Sequence, residues 1–245
     1  MVGAIPARYA SVRLPGKPLR LLAGRPIIEH VYRRAAQASS LSRVVVLTDD
    51  ERIATAVTAF GGKCEMTPVD CASGTDRIAH AARGWDAAAV VNIQGDEPMI
   101  EPTVIERVAQ HLRDHRSDGM VTLASPLSDE DFDNPNVVKV VRNRQGYALY
   151  FSRAAIPHPR RADAAPRLQH IGIYGYRTEL LLELAGLEPT PLELNESLEQ
   201  LRALEHGIPI RVLDAARCEP GIDTPEDLAR SEARLQASIH EGNGL

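Results

Sequence analysis

Residues 6–18 read Pro6-Ala7-Arg8-Tyr9-Ala10-Ser11-Val12-Arg13-Leu14-Pro15-Gly16-Lys17-Pro18, which puts two guanidiniums, a hydroxyl and an ammonium within ten residues. Such a loop offers what a triphosphate needs. Backbone N–H groups and three cations can neutralise charge that grows as pyrophosphate departs. Clustered charge is more often a solvated surface, but here glycine and prolines fix the backbone around the cations, which favours phosphate binding. The loop has neither the three spaced glycines of a dinucleotide fingerprint nor the Walker pattern. Lys17 stands out for a second reason: only three of the 28 basic residues are Lys (Lys17, Lys63, Lys139). A compact ammonium and a planar guanidinium are not interchangeable in a tight pocket.

Two acidic motifs complement this loop. The apolar run Val90-Val91-Asn92-Ile93 leads into Gln94-Gly95-Asp96-Glu97-Pro98, where Gly95 permits close backbone approach and the acids could hold Mg²⁺. That ion prefers a few carboxylates together with phosphate oxygens and water. Far along the chain, Gly221-Ile222-Asp223-Thr224-Pro225-Glu226-Asp227 carries another acid. On local grounds Asp223 or Thr224 reads equally as a helix N-cap, with Pro at the first helical position and acids in the first turn. Ser73-Gly74-Thr75-Asp76-Arg77 likewise has hydroxyls placed to cap a helix.

The elements that must position these motifs follow from apolar patterning. Strands are expected over Val2–Ile5, Arg43–Thr48, Ala88–Ile93, Met120–Ala124, Val137–Arg142, His170–Tyr176 and Ile208–Leu213. Helices are expected over Ile27–Ser39, Asp50–Phe60, Thr75–Ala82, Thr103–His115, Thr178–Ala185, Ser197–Glu205 and Pro225–Ile239. Strand–helix alternation in the first half predicts an α/β fold with a largely parallel sheet. Val137–Tyr176 is richer in strands and turns and suggests an inserted antiparallel lobe, while Pro157–Pro166 reads as a loop. Ligands of open α/β sheets sit beyond the strands' C-terminal ends. The loops after Ile5, Thr48, Ile93 and Leu213 therefore matter most.

Composition bounds the rest. The 245 residues, 44% hydrophobic and 25% charged, suit one large soluble domain rather than a disordered chain. No apolar run reaches the roughly 18–20 residues of a membrane span. The N-terminus lacks a signal-peptide pattern, so a cytoplasmic location is expected. A net charge of −5 disfavours a nucleic-acid partner. Cys64, Cys71 and Cys218 form no C-x-x-C pair, so reduced thiols are expected rather than zinc or a disulfide frame.

Taken together, Ala7-Arg8-Tyr9-x-Ser11-x-Arg13-Leu14-Pro15-Gly16-Lys17-Pro18-Leu19, Gln94-Gly95-Asp96-Glu97-Pro98 and Gly221-Ile222-Asp223-Thr224-Pro225-Glu226-Asp227-Leu228 resemble the motifs of the 3-deoxy-manno-octulosonate (KDO) cytidylyltransferases, the CMP-KDO synthetase family. Asn134-Pro135-Asn136-Val137-Val138-Lys139, Tyr150-Phe151-Ser152-Arg153 and Leu198-Glu199-Gln200-Leu201-Arg202 extend the resemblance from residue 3 to about residue 230. It implies a single Rossmann-like nucleotidyltransferase domain over 1–245 with an inserted antiparallel dimerisation lobe at about 137–206. It also implies a Mg²⁺-dependent enzyme that transfers CMP from CTP to an acidic acceptor and releases pyrophosphate, in lipopolysaccharide biosynthesis.

By the same resemblance, Arg8, Arg13 and Lys17 serve catalysis. Ala7, Arg8, Ser11, Arg13, Lys17, Ser73, Gly74 and Gln94 hold the nucleotide, and Asp96 and Asp223 ligate Mg²⁺. Gln94, Arg153, His170, Tyr174, Glu199 and Gln200 bind the acceptor, and the enzyme is a homodimer. Two departures from the family stand in this chain: Cys71-Ala72 replaces more polar residues, and the segment before His170 is short, Arg-rich and without aromatics. The acceptor expected is KDO or a related 2-keto sugar acid. The short segment and Arg153, Arg160, Arg161 and Arg167 suit a small phosphonate such as phosphonoformate as the alternative. An idle nucleotide-binding module is the reading from another class, and the joint presence of Lys17, Asp96 and Asp223 argues against it.

Overall fold

The computed structural model describes residues 1–11, 13–161, 166–216 and 219–240. Val12 of the cationic loop, Cys218 and residues 162–165 of the expected Pro157–Pro166 loop lie outside them. At the centre is β1 (Val2–Pro6), parallel to β4 (Arg43–Thr48) on one side and β6 (Ala89–Asn92) on the other. Strand alternation sends Val2, Ala4, Val45, Leu47 and Val90 into one core, and Ile5, Val44, Val46, Val91 and Ile93 into a second. Both faces are apolar because both are covered, as parallel sheets require. Helices α3 (Gly74–Ala82) and α5 (Thr178–Ala185) contribute Ile78, Ala82, Leu181 and Leu184 to the first core. Helices α1 (Ile27–Ala35), α2 (Glu51–Ala59) and α4 (Pro102–Asp114) contribute Ile28, Val31, Ile53, Val57, Ile105 and Val108 to the second.

Beyond β4 lies the short β5 (Cys64–Met66). Beyond β6 the direction reverses. β10 (Leu168–Arg177) runs antiparallel to β6 and to β7 (Met120–Pro126), and β11 (Ile210–Asp214) then runs parallel to β7. A hairpin of β8 (Lys139–Arg142) and β9 (Ala148–Ser152) joins β10 through Gln169 opposite Lys139. The 137–206 stretch therefore divides. β8 and β9 stand at the sheet's margin, whereas β10 is inserted between β6 and β7. A second small hairpin pairs β2 (Leu21–Leu22) with β3 (Arg25–Pro26) just after the cationic loop. Among the described residues no helix is long and apolar enough to cross a membrane, and Cys64 and Cys71 are free thiols.

The expected Ser197–Glu205 helix is shortened to α7 (Gln200–Glu205), and an unexpected helix, α6 (Pro191–Glu196), precedes it, with Ser197 between the two in a left-handed conformation. A buried ion pair closes this corner: Arg202 donates Nε and Nη2 to the Glu193 carboxylate at 2.8 and 2.6 Å. Removing one partner strands a buried charge, which typically costs 3–5 kcal/mol. Arg202→Ala is expected to destabilise the protein by about 3 kcal/mol or more in a urea titration. A loss below about 1 kcal/mol would assign the corner's stability to apolar packing instead.

Candidate active site

The cationic loop leaves β1 with Ala7 N–H bonded to the Leu47 carbonyl at 2.8 Å. It returns at Gly16, whose N–H donates to the Tyr9 carbonyl at 3.2 Å. Gly16 has φ +68°, and a Cβ there would lie 3.1 Å from the Tyr9 ring, so glycine serves both the turn and the close approach. Arg52 sits over the Tyr9 ring with Cζ 3.3 Å from its centroid, and Asp50 holds that guanidinium with contacts of 2.9 and 2.6 Å. Tyr9 and Arg52 thus brace the loop from the first turn of α2, a role that only the finished fold reveals.

The Gln94–Pro98 loop crosses directly under the end of β1. A Cβ on Gly95 would stand 2.9 Å from the Pro6 carbonyl oxygen, so only glycine passes there without a backbone shift. Ile222 N–H donates to the Asp96 carbonyl at 2.8 Å, docking the two acidic loops together. The N-cap ambiguity resolves in favour of Thr224. Its Oγ1 accepts from Asp227 N at 3.2 Å, and Asp227 Oδ2 accepts from Thr224 N at 3.0 Å, a capping box that opens α8 (Pro225–His240). The Asp223 carboxylate is left to face Lys17 and Arg13.

These groups converge. Lys17 Nζ lies 2.5 Å from Asp96 Oδ2 and 2.9 Å from Asp223 Oδ1, and Arg13 Nη2 lies 3.0 Å from Asp223 Oδ2. Burial alone would lower the Lys17 pKa, but Asp96 and Asp223 outweigh it and hold the ammonium above its ordinary value. Burial, helped by Asp96, pushes the neighbouring Glu97 up to about 8. Two carboxylates meeting one cation suit Mg²⁺, which takes its remaining ligands from phosphate and water. The described residues contain no cluster of three or more His, Cys, Asp or Glu able to hold a metal unaided, so a bound nucleotide would have to complete the shell.

A cavity of about 1030 Å³ opens over this cluster, lined by Ala7, Arg8, Ser11, Arg13, Lys17, Ser73, Gly74, Gln94, Asp96 and Asp223. Every nucleotide and metal residue expected from the sequence therefore faces one space. Ser73 both lines the cavity and caps α3, accepting from Asp76 N at 3.1 Å while Asp76 Oδ2 accepts from Ser73 N at 3.0 Å. Arg77, quoted in its motif but not singled out, also lines the cavity. Its guanidinium bonds Thr67 and Asp49, the latter at 3.1 Å, tying α3 to the loop after β4.

The expected acceptor residues other than Gln94 do not line this cavity. Gln94 reaches the neighbouring element, donating Nε2 to the Gly172 carbonyl at 3.0 Å. Gly172 lies where the β10–β7 register shifts, a bulge of the kind common beside active sites. Glu199, at the start of α7, accepts from Ser73 Oγ at 2.8 Å and Thr75 Oγ1 at 2.9 Å, so it bridges to the segment that opens α3. Gln200 is buried in the first turn of α7. Arg153 does not stand free for an acid: its guanidinium bonds the carbonyls of Glu196, Pro135 and Ser197 at 2.8, 3.1 and 3.3 Å. Arg167 is paired with Asp129 at 2.6 Å and lies over Phe132.

His170 sits between Phe151 and Tyr174, with ring centroids 5.0 and 5.3 Å away. Thr122 Oγ1 has carbonyl acceptors at 2.8 and 3.1 Å for its proton, so His170 Nε2, 2.9 Å away, is the donor in that pair. Desolvation pushes the imidazole down to about 3. Unfolding restores the ordinary value of 6.5, so the unfolded chain binds the proton first and stability is lost as pH falls from 6.5 towards 3. The slope is about 1.4 kcal/mol per pH unit for one such group. His170→Gln, which keeps a donor for Thr122, is expected to flatten that acid limb in melts between pH 7 and 4. An unchanged limb would contradict a desolvated neutral imidazole.

The geometry gathers a cationic loop, two carboxylates and a cavity of about 1030 Å³ at the C-terminal edge of an α/β sheet. Comparisons with known proteins point the same way. A family profile described as cytidylyltransferase matches residues 2–211. The chain is 50% identical to the 3-deoxy-manno-octulosonate cytidylyltransferase of Syntrophotalea carbinolica, covering 96% of this chain and 98% of that protein. It is also 50% identical to the enzyme of the same name in Myxococcus xanthus, covering 96% of each. A solved CMP:2-keto-3-deoxy-manno-octonic acid synthetase complexed with CTP superposes with a TM-score of 0.94 at 46% identity, over 97% of this chain and 98% of that one. On this profile, these full-length relatives and this fold, the chain belongs to the cytidylyltransferase family.

Proposed function

We infer that this chain transfers CMP from CTP to KDO and releases pyrophosphate. The observation that carries the reading is the convergence of Lys17 on Asp96 and Asp223 inside a cavity that also holds Ser73 and Gly74. The acceptor's anomeric hydroxyl oxygen attacks the α-phosphorus, the bond from that phosphorus to the bridging oxygen breaks, and the hydroxyl proton passes to solvent. Arg8, Arg13, Ser11 and Lys17 bind and orient the phosphates and neutralise the departing pyrophosphate. Asp96 and Asp223 would hold Mg²⁺, which supplies charge neutralisation at the reacting phosphate when bound. Ser73 and Gly74 bear on the nucleoside. Gln94, His170, Tyr174, Glu199 and Gln200 form the acceptor side around the β10 bulge. Arg153 fixes the backbone of that side through its three carbonyl bonds.

The small-phosphonate acceptor is not favoured. It rests on the short segment before His170 and a surplus of arginines; of these, Arg153 and Arg167 are engaged by the protein itself, and the full-length relatives are named for KDO. Reliance on CTP accords with a cytoplasmic location. A homodimer through the β8–β9 and α6 side is supported by the exposed Leu149, Leu192 and Leu194 and is checked by light scattering. The activity is tested by following pyrophosphate with CTP, Mg²⁺ and either KDO or phosphonoformate. Turnover is expected with KDO. Turnover with the phosphonate alone would reverse the choice of acceptor, and silence with both would overturn the reading.

A further inference from the structure

A second cavity, of about 420 Å³, lies apart from the cytidylyl site. It is bounded by α1, by Arg25 of β3 and by the C-terminal end of α2, and is lined by Arg25, His30, Arg33, Arg34, Gln37 and Phe60 among others. Three guanidiniums thus share one concavity. The carboxylates facing them are Glu29, 2.8 Å from Arg33 and 4.0 Å from Arg25, and Glu101, 3.5 Å from Arg34 and mostly exposed. Positive charge is left over. Arg34 is largely buried, and its Nε has no hydrogen-bond partner among the described residues. Buried donors are normally satisfied, so an orphan at the wall of a cavity marks a place for an acceptor. His30 Nε2 is engaged by the Leu22 carbonyl at 2.7 Å. Phe60 and Tyr32 supply an aromatic wall, with ring centroids 5.5 Å apart and Arg33 Cζ 6.0 Å from the Phe60 centroid.

An arginine-rich chain scatters guanidiniums over its convex surface, where water satisfies them. Here they point into a hollow large enough for a small metabolite. Guanidinium forks match phosphate oxygens in pairs, and an aromatic face packs against a sugar or base ring. We propose that this cavity binds a phosphate monoester of a sugar or nucleoside, with Arg33 and Arg34 on the phosphate and Phe60 against the ring. The test is calorimetric titration of the full chain with ribose 5-phosphate. Wild type is expected to give saturable one-to-one binding that persists in Lys17→Ala, whose lesion lies in the other cavity. Arg33→Ala combined with Arg34→Ala is expected to weaken binding at least about tenfold, for the loss of two charge-assisted contacts. Gln37→Glu, at an exposed position that tolerates charge, is expected to weaken it severalfold through repulsion and guards against misfolding of the double variant. No saturable heat in wild type, binding indifferent to Gln37→Glu, or binding abolished by Lys17→Ala would each overturn the proposal.

Discussion

Asp96→Asn is expected to reduce kcat by about 10³-fold or more, which corresponds to removing several kcal/mol of charge stabilisation. The amide keeps the shape of the side chain and removes its charge. The loop should survive, because its contact with the other acidic loop runs through the Asp96 backbone carbonyl to Ile222 and not through the carboxylate. A thermal melt close to wild type alongside the lost rate would separate the two roles. Asp223→Asn is expected to behave alike, since its capping duty has passed to Thr224. The double variant should be little worse than either single one, because two ligands of one ion act as a unit. Titrating Mg²⁺ checks the assignment: each variant should demand more metal. A near-normal rate at low Mg²⁺ would remove that aspartate from the metal site.

Lys17→Arg is expected to cost about 10²-fold in kcat, on the scale of removing one preorganised donor from a reacting oxyanion. The ammonium is enclosed, its side chain only 15% exposed, and it contacts two different carboxylates. A guanidinium is planar and prefers to engage one carboxylate with two parallel bonds. It would seize Asp96 or Asp223 rather than reach the phosphates between them. Lys17→Ala should be worse still, leaving the two acids without their shared counter-charge. Single-turnover rates with saturating CTP would place the defect in the chemical step. A rate within a few-fold of wild type for Lys17→Arg would mean that only net charge matters there.

Much of this was legible in the residues because the main strands and helices are strongly patterned. Val44–Leu47 is apolar at every position and Val90–Ile93 at all but Asn92, as befits strands buried on both faces. The cationic loop and both acidic loops were legible for the same reason that they work: glycine, proline and charge crowd into short stretches. β5 escaped notice because Cys64-Glu65-Met66 is a three-residue edge strand without alternation. β9 was hidden because Ala148–Ser152 reads as a continuous half-apolar run with a register shift beside it. α6 is a single short segment marked in the sequence only by its Thr190-Pro191-Leu192-Glu193 start, a capping box. The place of β10 could not be read at all. Its pattern says that it is buried, not which strands flank it. Nor does any local spacing bring Glu199 to Ser73, 126 residues away.

Lys17 and Asp223 are 206 residues apart in sequence yet share a hydrogen bond. During synthesis the N-terminal strands leave the ribosome first and can begin to pack. The cationic loop and Asp96 are then in hand, but the second carboxylate is not. A chain cut short before residue 223 would retain every strand of the sheet while lacking the second carboxylate that meets Lys17. The second carboxylate must therefore be made before the two loops can meet, so the Lys17–Asp223 contact closes only after the strands that frame it have been synthesised.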